Sequence, residues 1–248
     1  VVPGEGDAAV TAVAWTWIAI AAITFAALLK VDAPYGRHAR KGWGPVLPAW
    51  LGWIVMELPS PVLIAGFWLA SPYRSDPASA VLMAAWVGHY VYRTLIFPFL
   101  GAGKKAPMPA SIAASAFGFN LVNGSLNGYG MFHVDGVREV GARFVVGMAL
   151  FAAGFLIHVR SDAILRSLRK PEESGYRIPQ EFLFRWVSCP NYLGEVVEWI
   201  GYAIAAGTLW PASFAAWTIA NLVPRAFAHH RWYRETFEDY PKGRRAIL

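Results

Sequence analysis

One cysteine, Cys189, stands in the 248 residues, which excludes an intrachain disulfide and a thiolate metal cage and leaves redox compartment unread. Charge is scarce as well. Asp, Glu, Lys and Arg make up 15% of the chain against 56% hydrophobic residues, and the mean hydropathy is +0.38. A soluble chain of this size cannot carry that composition without large apolar patches facing water. Familiar catalytic signatures are missing. No Gly-x-Gly-x-x-Gly follows a strand, and there is no P-loop, no His-Glu-x-x-His and no Gly-x-Ser-x-Gly. The six histidines, at 38, 89, 133, 158, 229 and 230, are too few and too scattered for a membrane di-iron oxygenase, so no metal is expected. The first ten residues hold Glu5 and Asp7 but no Lys or Arg, and no cleavable signal peptide is expected.

Long apolar runs are what the chain does have. Stretches of membrane-spanning length run from Ala8 to Leu29, Leu47 to Ala70, Ala78 to Leu100, Ala110 to Phe132 and about Gly141 to Val159. The run from Leu193 to Val223 is too long for one span and is expected to divide at Leu209-Trp210-Pro211 into two short ones. The expectation is therefore an all-α, polytopic membrane bundle of about seven transmembrane helices forming one domain over 1–248. Basic residues support this count by alternating between loops. Eighteen of the 22 Lys and Arg fall in loops one, three and five and the C-terminal tail. Arg74, Arg138 and Arg143 fall on the other side, and Arg93 lies inside a span. That asymmetry places the N-terminus outside and the C-terminus in the cytoplasm. It also accounts for the net charge of +6, so no nucleic-acid partner is expected. Twelve Trp and ten Tyr, many at the ends of apolar runs, fit interfacial belts. The basic, polar stretches 161–191 and 225–248 form a surface able to hold an anionic cofactor.

Ionisable groups at membrane depth cost about 2.5–3.5 kcal/mol or more each on insertion scales, so each is a functional candidate. Glu57 lies mid-span in Trp53-Ile-Val-Met-Glu57-Leu-Pro59-Ser-Pro61, where two prolines break the helix and free carbonyls; a structural pairing with a neighbouring helix is the plain alternative. In His89-Tyr90-Val-Tyr92-Arg93, Arg93 is expected to pair with a carboxylate or snorkel, and His89 to be a hydrogen-bonded core residue. Glu195 and Glu198, spaced i, i+3 on one helical face, require cationic partners, with Arg225, His229 and Arg231 as candidates.

The C-terminal half resembles the steroid 5-alpha-reductase (3-oxo-5-alpha-steroid 4-dehydrogenase) family. The resemblance is carried by Ser161-Asp162 through Arg166, Arg169-Lys170-Pro171, Gly175-Tyr176-Arg177-Ile-Pro179, Asn191-Tyr-Leu-Gly194-Glu195, Glu198-Trp199, and Arg225-Ala-Phe-Ala-His229-His230-Arg231-Trp-Tyr233. Weaker echoes are Leu47-Pro48-Ala49, Trp53, Glu57-Leu58-Pro59-Ser60 and His89-Tyr90 with Arg93-Thr94, so the likeness reaches from about residue 47 to the end. It implies NADPH-dependent reduction of a 4-ene-3-ketosteroid inside a seven-helix bundle, with the cofactor bound from cytoplasmic loops. By this resemblance Tyr90 and Glu57 hydrogen-bond the steroid 3-carbonyl, which stabilises the enolate as hydride reaches C5. Burial among apolar residues would favour a protonated Glu57; otherwise Glu57 orients the Tyr90 hydroxyl. Trp53 and Trp199 are implied as walls of the steroid pocket. The implied cofactor residues are Asp162, Arg169, Tyr176, Arg177, Asn191, Glu195, Arg225, His229 and Tyr233, arginine forks suiting phosphate oxygens. Lys104 joins them as a point charge for a phosphate. His158 is counted with them where the family often has Asn, and Met56 replaces a frequent Gln.

The partners expected are a steroid or other lipophilic enone and the lipid bilayer, with the protein acting as a monomer. Its place would be the cytoplasmic membrane of a bacterium, which the composition favours, or the endoplasmic reticulum of a eukaryote. The alternatives are a related membrane reductase of sterol or enoyl-CoA double bonds, an S-adenosylmethionine-dependent membrane methyltransferase sharing the C-terminal Arg-to-His-to-Tyr segment, and a non-catalytic lipid transporter. No inverted repeat supports the last.

Overall fold

The computed structural model describes residues 5–31, 44–100, 107–136, 140–168 and 176–248. Lys104, Arg169 and the Gly175 end of the basic loop lie outside the described residues.

Helices dominate. Helix α1 (Glu5–Leu28) is followed by α2 (Ala49–Glu57) and α3 (Pro59–Leu69), which form one broken rod, and by α4 (Pro77–Val91), α5 (Ala110–Tyr129), α6 (Ala142–Ser167), α7 (Pro190–Ala206) and α8 (Leu209–Thr236). Short π-helical turns extend α4 over Tyr92–Ile96 and α5 over Gly130–Asp135. Two two-residue strands, β1 (Val46–Leu47) and β2 (Met108–Pro109), pair antiparallel and tie the start of α2 to the start of α5. Among the described residues, four helical segments are long and apolar enough to cross a membrane: Asp7–Leu28, Ala49–Leu69, Pro77–Phe99 and Ala142–Ser167.

The distribution of polarity is that of a protein dissolved in lipid. Outward faces carry exposed apolar side chains such as Ile23, Val62, Leu95, Val145, Leu156 and Ile204, while Asn120, Asn123, Asn127, His158 and Glu198 are buried inside. Water as solvent would favour the reverse arrangement. All-α architecture with apolar outer surfaces makes this a membrane protein. The core is aromatic. Trp86, Trp199 and Phe214 meet pairwise with ring centroids 4.5–4.9 Å apart, and Tyr202 donates its hydroxyl to the Leu82 carbonyl at 3.0 Å.

Three details refine the expected boundaries. The last apolar run divides at Gly207-Thr208, two residues before Leu209-Trp210-Pro211. Gly207 ends α7 with φ +65, and a Cβ there would strike the Arg143 guanidinium, so glycine suits the turn on both counts. Pro211 instead sits in the first turn of α8, where a missing N–H costs nothing. The fifth span does not stop near Val159. Helix α6 continues to Ser167, so Ser161 and Asp162 are helical rather than loop residues.

What sets the site is the contact between α6 and α7. A Cβ on Gly154 would meet the backbone N of Glu198, and one on Gly194 would come within 2.5 Å of the His158 N; Gly147 and Gly201 interlock in the same way one heptad away. Small residues let the two backbones touch. That contact holds His158 and Asp162 against Glu195 and Glu198.

Candidate active site

The two prolines do what their chemistry requires. Helix α2 stops at Glu57 and α3 restarts at Pro59, because neither Pro59 nor Pro61 can donate to the ladder. Asn120 of α5 reaches into this break, donating its amide to the Met56 carbonyl at 2.7 Å and lying 3.4 Å from Glu57 Oε2. The carboxylate so presented is buried but not among apolar groups alone. Arg93 donates from Nη2 to Glu57 Oε1 at 3.1 Å and from Nη1 to Glu195 Oε1 at 3.4 Å, and its guanidinium lies 4.7 Å from the Trp53 ring centroid. The sequence expectation of a carboxyl surrounded by apolar side chains is corrected here: Glu57 faces a cation. Arg93 is delivered by the π-helical turn after α4, a local widening that recurs at functional sites.

Tyr90, one residue from His89 and two residues before this turn begins, is buried with its hydroxyl by the Ser60 side chain and within electrostatic reach of Glu57. Ser60 also accepts from the Trp86 indole at 2.9 Å. Glu57, Tyr90, Arg93, Glu195, Trp53 and Trp199 all line one cavity of about 650 Å³, walled otherwise by residues such as Met108, Phe214 and Trp217 and reached by Arg225. A volume of this order holds a drug-sized or sterol-sized molecule.

Glu195 and Glu198 do receive basic partners, but from α4, the π-helical turn after it and α6. His89 Nδ1 is 2.7 Å from Glu198 Oε1, while His158 Nε2 lies 3.6 Å from Glu195 Oε1 and 3.3 Å from Asp162 Oδ2. A ring nitrogen of each of His89 and His158 and a carboxylate oxygen of Glu198 all fall within 4.8 Å of one another. Asn191 donates to Asp162 Oδ1 at 3.2 Å, which fixes the end of this group.

The remaining expected residues divide into two groups. His229 shares a 3.1 Å hydrogen bond with the Tyr192 hydroxyl, whose ring lies 5.4 Å from the Arg225 guanidinium, so both connect to the cavity wall. Tyr233 stacks on Tyr240 at 5.2 Å, and Tyr176 meets the neighbouring Trp232 edge-on at 4.9 Å, with Arg177 exposed beside it in the chain. Asn120 escaped the sequence reading although a signal existed: Asn120, Asn123 and Asn127 recur at helical spacing along one face of an apolar run, and all three are buried. Asparagine at membrane depth is expensive for the same reason as charge.

A membrane-embedded helical protein whose cavity carries a partly buried Glu–Arg–Glu cluster beside a tyrosine belongs to a class that handles a lipophilic molecule chemically. The comparisons narrow the class. Residues 106–248 match the family model described as 3-oxo-5-alpha-steroid 4-dehydrogenase. The chain is 41% identical over 246 residues to 3-oxo-5-alpha-steroid 4-dehydrogenase 1 of Bos taurus, covering 96% of this chain and 95% of that one. It is 40% identical over 235 residues to steroid 5-alpha-reductase DET2 of Arabidopsis thaliana, covering 90% and 89%, and 40% identical over 220 residues to 3-oxo-5-alpha-steroid 4-dehydrogenase 2 of Homo sapiens, covering 86% of each. The chain belongs to the steroid 5-alpha-reductase family, oxidoreductases acting on a CH–CH bond.

Proposed function

We propose that this protein reduces the 4,5 double bond of 3-oxo-4-ene steroids with NADPH, giving 5-alpha-3-oxosteroids. The observation that carries the reading is the cavity itself: flat aromatic walls, Trp53 and Trp199 among them, ending at Tyr90 and Glu57. A rigid apolar ring system suits such walls, and the polar group at Tyr90 and Glu57 suits its carbonyl. Tyr90 donates its hydroxyl to the 3-carbonyl oxygen. Glu57, tied to Arg93 and Asn120, positions the groups beside this hydroxyl and leaves its single proton to the carbonyl. The carbonyl oxygen gains charge as the enone becomes an enolate, so a donor fixed in advance stabilises the transition state more than the ground state.

The residues around the cavity mouth fit a dinucleotide phosphate by the chemistry of their donors. Arg225 at the wall, with His229 joined to it through Tyr192, would hold the cofactor, together with Asn191, Asp162, Lys104, Arg169, Tyr176, Arg177, Glu195, Tyr233 and His158. When bound, NADPH supplies a hydride at C5. The chain's own contribution is to bind the steroid against Trp53 and Trp199, to exclude water and to hold the 3-carbonyl at Tyr90.

We further propose seven membrane crossings, with α2 and α3 together making one, the N-terminus outside and the 161–191 and 225–248 segments forming one cytoplasmic cofactor surface. Apolar residues exposed on α1 to α7 and the alternation of basic loops support this. The cavity draws its lining from α2, α4, α5, α7 and α8 together, which supports a single domain; action as a monomer belongs to the same proposal.

Purified protein in detergent, given NADPH and testosterone or progesterone, is expected to oxidise the cofactor and yield a steroid two hydrogens heavier. Tyr90→Phe should lower kcat by roughly 10²–10³-fold, the scale for loss of one oxyanion donor. NADPH binding without turnover of any 4-ene-3-ketosteroid would refute the substrate assignment.

A further inference from the structure

Asn221 is out of place in α8. It stands in Trp217-Thr-Ile-Ala-Asn221-Leu-Val, inside the apolar run that ends at Val223, where an amide is expensive. Yet it lines the cavity. The cavity face of α8 is Phe214, Trp217, Thr218, Asn221, Leu222 and Arg225, the i, i+3, i+4, i+7 spacing of a single helical stripe. At one end of the stripe Phe214 packs on Trp199 and Trp86 with ring centroids 4.5 and 4.9 Å away, and Trp86 stacks on Tyr90 at 5.9 Å. Phe214 therefore marks the level of the carbonyl donor. Asn221 comes seven residues later, two turns and about 10 Å along the axis at 1.5 Å per residue. That matches the length of a four-ring steroid nucleus between its 3- and 17-substituents. The opposite wall is α5, where Phe119 meets Trp217 at 5.1 Å, and Ala116 and Ile112 continue the lining from there.

The other amide and aliphatic hydroxyl groups on the described lining are committed to backbone. Ser115 Oγ donates to the Ile112 carbonyl at 2.9 Å, Thr218 Oγ1 to the Phe214 carbonyl at 3.0 Å, and the Asn120 amide to the Met56 carbonyl at 2.7 Å. A carboxamide has two N–H groups and an oxygen with two lone pairs, so Asn221 keeps hydrogen-bonding capacity toward the cavity alongside bonds within the protein. We propose, resting on the reductase reading, that Asn221 sets the specificity for the far end of the steroid by hydrogen-bonding an oxygen carried at C17, while Tyr90 holds the 3-carbonyl. The substrate class is therefore the 17-oxygenated 4-ene-3-ketosteroids, not sterols that carry hydrocarbon at C17. An amide both donates and accepts, so it serves a 17-hydroxyl and a 17-ketone alike. The aromatic walls hold the rings by shape, and two polar groups a nucleus apart fix which way round the substrate lies. The nicotinamide is left the α7 side, where Glu195 lines the cavity.

The test compares three enones on detergent-purified protein with NADPH: testosterone; androst-4-en-3-one, which differs only in lacking the 17-hydroxyl; and cholest-4-en-3-one, which carries hydrocarbon there. On wild-type protein testosterone should exceed androst-4-en-3-one in kcat/KM by roughly 10- to 100-fold, the scale for leaving a buried amide without its partner. Cholest-4-en-3-one should be the poorest of the three. Asn221→Leu, which keeps the branched shape and removes the amide, should abolish the preference for testosterone over the 17-deoxy compound. Asn221→Ala should do the same and takes its place if Asn221→Leu does not fold. Equal kcat/KM for testosterone and androst-4-en-3-one on wild-type protein overturns the proposal, as does a preference that survives in the folded variants or a wild-type preference for cholest-4-en-3-one. The KM for NADPH, read in the same assay, guards the neighbouring Arg225: a variant with raised KM for NADPH and an unaltered preference among the enones assigns Asn221 to the cofactor and overturns the proposal too. Wild-type protein that binds NADPH yet reduces none of the three enones overturns the reductase reading itself.

Discussion

One substitution, glycine to alanine, should have opposite signs at two helical positions. At Gly118, on the exposed face of α5, an added Cβ meets nothing within 4 Å. There the change only removes backbone freedom from the unfolded chain and improves helix propensity, a gain of about 0.4–1 kcal/mol. At Gly154 the same Cβ meets the Glu198 N and comes within 2.7 Å of the Glu198 Cα. Carbon atoms settle at about 3.5–4.0 Å, so α6 and α7 must part by roughly 1 Å over their whole contact. Overpacking of this kind costs about 1–3 kcal/mol, and against rigid backbone the upper end applies. Net of the same propensity gain, Gly154→Ala should destabilise by about 2 kcal/mol, leaving about 3 kcal/mol between the two variants. For a chain of 150–250 residues that is a difference in Tm of about 6–12 °C. The assay is thermal unfolding in one detergent, followed by tryptophan fluorescence. Gly154→Ala should also lose turnover beyond its loss of stability, because a wider gap pulls His158 from Glu195 and Glu198. A Gly154→Ala protein as stable as Gly118→Ala would refute the argument that backbone contact between α6 and α7 builds the site.

Arg93→Met leaves Glu57 and Glu195 buried without their shared cation, and should cost about 3–5 kcal/mol, with Arg93→Lys recovering part of it, in the same unfolding assay. Glu57→Gln keeps the shape of Glu57 but weakens acceptance from Arg93. It should reduce kcat with little change in steroid KM, whereas a rise in KM alone would mark Glu57 as a binding group. Asn120→Leu, which exposes the Met56 carbonyl to an apolar neighbour, should destabilise by about 1–3 kcal/mol. His230 lies beyond the apolar half of α8, with its Nδ1 2.6 Å from Ser188 Oγ, and burial, then the nearby Arg234, hold its imidazole below the usual range. The folded state therefore binds fewer protons than the unfolded one near pH 6. Stability should be full above about pH 6.5 and fall as pH drops through the lower folded value, and His230→Gln should flatten that slope.

The parts of the fold that lipid dictates were legible in the sequence, because every crossing needs an apolar length and proline must break a ladder wherever it falls. Glu57 could be placed at the break between α2 and α3 from Pro59 and Pro61 alone. Glu195 and Glu198 could be recognised as needing cations, since two carboxylates one turn apart cannot be left bare in a bilayer. Their partners could not be named. His89 and His158 come from helices that local pattern does not align. The alignment is made by Gly147 and Gly154 on α6 meeting Gly194 and Gly201 on α7, a tertiary fit that seven-residue glycine spacing permits in many registers. Asn120 was passed over because amides draw less notice than charges, although leaving one unpaired in hydrocarbon is nearly as costly.

The cluster is also where the chain departs most from its own solvent. Elsewhere apolar side chains face lipid and aromatic rings fill the core, each local choice agreeing with the bilayer. Around Arg93 the chain breaks a helix, widens another by a π turn and buries Glu57, Asp162, Glu195 and Glu198 against one arginine and two histidines. None of this makes the bundle more stable than leucines and alanines would. Departures of this kind persist where the local cost serves chemistry. The cluster here also lines the cavity, through Glu57, His89, Arg93 and Glu195, and a purely structural network has no need to reach one.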